Sequence, residues 1–260
     1  YRYSKNATEI GLFRIDGSGK LSHDATYFLD SNDYYSSRNY ASRLLGSKLV
    51  FYMPYSLRQR SARPEIQLPE MRRWTTGDAT TAGESILTKV NVYKPVQETG
   101  TPTLHTIVTC ELAREPFTCS ATSVLGPYAR TFYVSPNAVY LWVAEGTRRW
   151  WGSETMPAPS RSTAFVYRIA FADDDARVTK AEGNPIDQFS FAERGDALYA
   201  LVRGRGGGDA MWQPERGKGT NLALVRIALS AFGQEPFALP PSAYTPLPEP
   251  EGYGFQNRFV

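Results

Sequence analysis

The chain has 260 residues, 42% hydrophobic and 13% aromatic with 16 tyrosines, enough for one large all-β domain or two ordinary ones. A net charge of +3 is too near neutral to imply a nucleic-acid partner, and with no sustained basic stripe none is expected. No apolar run approaches the ~20 residues of a membrane-crossing helix, so no membrane span is expected.

Arg outnumbers Lys, 22 to 7, a bias of GC-rich bacterial genomes. The chain opens on Tyr1 with neither a methionine nor a charged-then-apolar leader. The expectation is that something upstream has been removed or was not observed, so the missing leader does not argue for the cytoplasm.

In chain order, Glu9–Asp16 alternates apolar and polar residues, and Asp16-Gly-Ser-Gly marks a turn. Lys20–Leu29 follows as a second strand, then the polar stretch Asp30–Arg38. Arg43-Leu-Leu reads as a third strand, Gly46-Ser-Lys as a tight turn, and Leu49–Met53 as a fourth. Residues 55–84 read as a loop insertion, with Pro64, Pro69 and the polar run Thr75–Gly83. The best helix in the chain, Pro69–Trp74, is too short to matter. Ser85–Lys94 resumes strand-like alternation. Cys110 and Cys119 flank a strand–turn–strand and lie within reach of a disulfide; two buried free thiols are the alternative.

Two patterns recur. Thr8–Ile15 returns as Thr103–Cys110, Ser162–Ile169 and Thr220–Ile227, with starts 95, 59 and 58 residues apart. Arg43–Tyr52 returns as Phe132–Leu141 and Phe191–Ala200, with Phe51, Tyr140 and Tyr199 as aromatic anchors 89 and 59 apart. The shared period makes each unit four strands long, opened by the first pattern and closed by the second. Such repetition predicts an all-β, β-propeller fold of four-stranded antiparallel blades. Three blades and most of a fourth are present, because Arg258-Phe-Val260 aligns with Arg43-Leu-Leu and the next strand is missing. The expectation is therefore one partial propeller domain over 1–260, a piece of a longer propeller. Its remaining blades would come from the same gene or from another chain.

Several segments carry a resemblance. They are Asp33-Tyr-Tyr-Ser-Ser-Arg38, Leu45–Tyr52, Val134–Tyr140, Asn184–Glu193 with its Gln188-Phe-Ser-Phe core, and Arg258-Phe-Val260. Together they resemble secreted bacterial and archaeal proteins with a β-propeller domain distantly related to WD repeats. The resemblance implies that fold and a secreted, periplasmic or cell-surface location. It implies no settled activity and no catalytic residues.

Residue chemistry adds little that looks catalytic. No G-x-S-x-G, H-E-x-x-H or P-loop motif is present, and Gly204–Gly208 opens no helix. The clusters Asp173–Asp175 and Asp30, Asn32, Asp33 read as solvated turns. His105 reads as a satisfied strand histidine, and His23 has no identifiable partner. No metal site and no cofactor are expected, since two Cys and two distant His lack zinc spacing. Surface candidates are Arg148, Arg149, Trp150 and Trp151 after one strand, and Arg72, Arg73 and Trp74 in the insertion. Arg and Trp dominate interface hot spots, though the tryptophans can also pack under their own loop. The leading reading is a non-enzymatic extracytoplasmic scaffold binding a protein or glycan partner through blade loops. The alternatives are a hydrolase or lyase with its site in a central channel, and a structural subunit completed by another chain.

Overall fold

A computed structural model describes residues 7–30, 42–56, 70–74, 87–94, 96, 102–114, 117–127, 130–144, 163–173, 175–185, 187–204 and 222–248. The chain divides into two compact units, one holding the strands up to the first part of β8 and the other the strands from β9 on. The fold is all-β, built of antiparallel sheets.

The first unit contains β1 (Ala7–Ile15), β2 (Leu21–Asp30), β3 (Ser42–Leu45), β4 (Lys48–Ser56), β5 (Met71–Arg73), β6 (Leu87–Tyr93), β7 (Thr103–Glu111) and β8 (Cys119–Gly126). They form a sheet of order β1-β2-β5 and a sheet of order β3-β4-β7-β8-β6. The β1–β2 turn closes as expected, with Asp16 Oδ1 accepting from the Ser18 and Lys20 amides at 2.9 and 3.0 Å. The core of this unit joins Ile10, Tyr27 and Leu29 of the first sheet to Phe51, Val108 and Cys110 of the second. Cys110 and Cys119 form a disulfide across β7 and β8, with Cα atoms 4.2 Å apart.

The second unit contains β9 (Arg130–Val134), β10 (Ala138–Ala144), β11 (Thr163–Ala170), β12 (Ala176–Glu182), β13 (Asn184–Pro185), β14 (Phe191–Arg194), β15 (Ala197–Arg203), β16 (Leu222–Ala228) and β17 (Tyr244–Pro246). One sheet runs β12-β11-β10-β9. The other runs β13-β15-β16-β17, with β14 also on β15. β10 is buried at every position, as expected of a strand covered on both faces. Its Tyr140 and Trp142 pack with Leu198, Ala200, Val225 and Ile227 of the neighbouring sheet. The stretch after β16 runs along β12, where Gly233 exchanges hydrogen bonds with Val178 and Leu239 donates to Lys180.

Three sequence expectations change. The repeated Thr-to-Ile pattern does not open each sheet. In three sheets it is the third strand, preceded by the tight-turn hairpin: β3-β4-β7, β9-β10-β11 and β14-β15-β16. The aromatic anchors also shift. The turns Gly46-Ser47 and Gly195-Asp196 carry glycines at φ +60 and +58, and they align Val50, not Phe51, with Tyr199. A one-residue slip moves a side chain to the other face, so Phe51 matches Leu141 and Ala200 instead. Finally, Met71–Arg73 is not helical or loop. It pairs with Tyr27–Leu29, and Met71 is fully buried.

Candidate functional site

The densest polar cluster surrounds Glu193 on β14. Its carboxylate accepts from Ser135 Oγ at 2.6 Å, Asn137 Nδ2 at 2.7 Å and Tyr140 OH at 2.7 Å. Ser135 and Asn137 belong to the β9–β10 turn, which lacks a glycine and is held instead by Ser135 Oγ accepting from the Asn137 and Ala138 amides. Arg168 Nε donates to Tyr140 OH at 3.3 Å, and the Glu193 amide donates to Tyr133 OH. Burial pushes the Glu193 carboxyl upward, but the Ser135, Asn137 and Tyr140 donors and the Arg168 charge outweigh it and hold it below the usual carboxylate range. Burial, then the Glu193 carboxylate, pushes the Tyr140 phenol well up. A carboxylate held ionised by three donors is a poor proton carrier near neutral pH. This cluster instead ties one sheet to the next.

That role has a pH signature. The folded-state pKa of Glu193 is depressed, so its contribution is present above its unfolded pKa of about 4.3 and is lost as pH falls through the folded value. Glu193→Gln should cost about 1–2 kcal/mol at pH 7 through weakened charged hydrogen bonds. The gap should narrow steadily below about pH 4. Thermal midpoints of both proteins from pH 7 to pH 3 check this, and parallel curves would refute it.

His105 is fully buried on β7, its Nδ1 2.8 Å from Tyr52 OH on the paired strand β4. Beside it, the buried hydroxyls of Thr106 and Ser123 lie 2.9 Å apart. The histidine is thus engaged inside the sheet, away from solvent. His23, expected to lack a partner, has its Nε2 2.9 Å from Thr26 Oγ1 and its ring edge-on to Phe13. Asp173 accepts from the Asp175 amide and pairs with Arg177 at 3.1 Å, a solvated turn between β11 and β12. Among the described residues, no group of three or more His, Cys, Asp or Glu is placed to hold a metal. Nor, among them, is any helix long and apolar enough to cross a membrane.

The surface candidates divide. Arg148, Arg149, Trp150 and Trp151 lie outside the described residues, as do Asn32 and Asp33. Arg72, Arg73 and Trp74 lie on and just after β5. Arg72 is half-buried, 3.8 Å from Glu70, and Arg73 is exposed. Trp74 is 43% exposed while its amide donates to Thr26 O at 2.8 Å. The ladder to β2 therefore fixes a tryptophan and two arginines at one sheet edge, a placement the reading of this stretch as a loop missed. The Glu193 cluster was missed too, since no local pattern joins Glu193 to Ser135, 58 residues away. The chain matches no protein-family model, no curated protein and no solved structure.

Proposed function

We propose that the chain is part of a β-propeller that acts as a non-enzymatic extracytoplasmic scaffold for a protein or glycan partner. The observation that carries this reading is the exposed Arg73–Trp74 pair at the end of β5. An aromatic ring and a guanidinium side by side on a backbone fixed by the ladder to β2 suit both stacking and carboxylate recognition. By contrast, Glu193 and His105 spend their polar atoms on partners inside the fold. The hairpin-plus-pattern unit, used three times, supports the propeller reading. The Cys110–Cys119 bond supports an oxidising compartment.

The test is binding of the protein to a glycan array and a peptide array, repeated with Arg73→Ala and Trp74→Ala. Each variant should lose about tenfold or more in affinity, as interface hot spots do. Because both side chains are exposed, the thermal midpoint should move by no more than about 2 °C. Undiminished binding by both variants would remove Arg73 and Trp74 from the interface.

A further inference from the structure

β5 has three residues and follows β2 in the sheet of order β1-β2-β5. Its ladder to β2 has three register pairs, and the Trp74 amide adds a hydrogen bond to Thr26 O. A ladder this short opens readily unless a core packs beneath it. Two contacts beneath it come from one place in the chain, the segment closed by the Cys110–Cys119 bond. Phe117 lies against Tyr27, their ring centroids 4.7 Å apart, and Tyr27 is the register partner of Arg73. Cys119 Sγ lies 3.5 Å from Sδ of Met71, the register partner of Leu29. Met71 is the fully buried residue that β5 places in the core. Both ends of the β2–β5 ladder therefore rest on the disulfide-closed segment, and all of these residues belong to the first unit.

The bond sits where it governs these contacts. Cys119 is the first residue of β8, and Cys110 is the last but one of β7. Strand ends are the first part of a ladder to fray. The bond holds the start of β8 against β7, and with it Phe117 on Tyr27 and Cys119 on Met71. β8 also lies between β7 and β6, so its later residues keep their neighbours when the bond is absent. What the bond controls is the start of β8 and the strand resting on it. Cys110 and Cys119 are 0% and 2% exposed, which closes the bond to thiols in solution once the unit has folded. Its state is therefore set as the unit folds.

We propose that the Cys110–Cys119 bond is a redox latch on the Arg73–Trp74 surface. Oxidation of the pair fixes β5 in its ladder and completes the surface, and the dithiol chain does not present it. The oxidant is a disulfide, carried by a small molecule or a protein. One cysteine thiolate attacks that disulfide, forming a mixed disulfide and releasing one oxidant thiol. The other cysteine then displaces the second oxidant thiol as the Cys110–Cys119 bond forms. In sum, two electrons and two protons pass from the cysteine pair to the oxidant, whose disulfide is reduced to two thiols. A chain still in a reducing compartment would thus lack its binding surface and gain it on entering an oxidising one. This consequence rests on the reading of Arg73 and Trp74 as the binding surface, whereas the latch is measured without any ligand.

The test compares the full chain refolded with glutathione disulfide and the same chain refolded in excess dithiothreitol. Amide exchange at residues 72–74 should be about tenfold faster or more in the dithiol chain, with β4 and β10 unchanged. Equal exchange at residues 72–74 in the two forms overturns the latch. Equal loosening of β4 in a folded dithiol chain also overturns it, because the bond is then a staple of the whole unit. If the dithiol chain fails to fold, Phe117→Ala in the oxidised chain decides. That variant keeps the bond but removes the contact with Tyr27, and should speed exchange at residues 72–74 with β4 and β7 unchanged. Unchanged exchange there overturns the latch. Both forms are also applied to the glycan and peptide arrays, where the dithiol chain should bind about tenfold more weakly. An oxidised chain that binds nothing on the arrays removes the binding surface and leaves the latch to stand or fall on exchange alone.

Discussion

Replacing Trp142 by alanine should remove about 3–5 kcal/mol of unfolding free energy, a large share of the total for a domain whose stability is about 5–15 kcal/mol. Trp142 is 1% exposed on β10, the strand buried at every position. Its indole meets Phe191 edge-on at 6.0 Å and packs among Ala200, Val202 and Val225 of the neighbouring sheet. Its Nε1 donates to Gly183 O at 3.1 Å, so alanine leaves both a cavity and a buried carbonyl short of its donor. Trp142→Phe separates the two effects. It refills much of the volume but supplies no donor, and should cost about 1–3 kcal/mol. Urea unfolding of the three proteins, with m compared as well as the midpoint, measures both. A loss below about 1 kcal/mol for Trp142→Ala would mean that the sheet-to-sheet core is not where stability resides.

Trp142 also illustrates which parts of the fold are readable from local sequence. Strand alternation and turn glycines report which residues form strands and which face points inward, and here both were legible. Pairing across long connections was not. β4 ends at Ser56 and its partner β7 begins at Thr103, with β5 and β6 in between. No local signal joins them, so sequence order alone groups the hairpin with the strands before it rather than with the strand after it. The shift of Phe51 has a narrower cause: side-chain type matches it to Tyr199, whereas the positive-φ positions Gly46 and Gly195 set the register. Met71 was hidden differently, as one apolar residue among prolines and polar runs. Its burial comes from tertiary contacts alone, the ladder to β2 and the core shared with the second sheet, where Cys119 lies against its sulfur. Glu193 reads locally as a solvent-facing strand residue, and only the next sheet's turn turns it into a tie between sheets.

Gly183→Ala should cost about 3 kcal/mol, combining left-handed backbone strain with a backbone clash. Gly183 adopts φ +84 between β12 and β13, and a Cβ there would lie 2.7 Å from Arg203 O. That carbonyl belongs to β15, whose Arg203 pairs with Asn184, so it cannot swing aside without opening the β13–β15 ladder. Moving Gly183 instead withdraws its carbonyl from Trp142 Nε1. The two sites are therefore energetically joined. In a double-mutant cycle, Gly183→Ala and Trp142→Phe should sum to less than their separate costs by about 0.5–1 kcal/mol or more, since either change alone already sacrifices the shared hydrogen bond. Additive costs would show that the indole donor is bonded elsewhere. A fully tolerated Gly183→Ala would mean that this corner relaxes freely, contrary to the close approach of Gly183 to the β15 backbone.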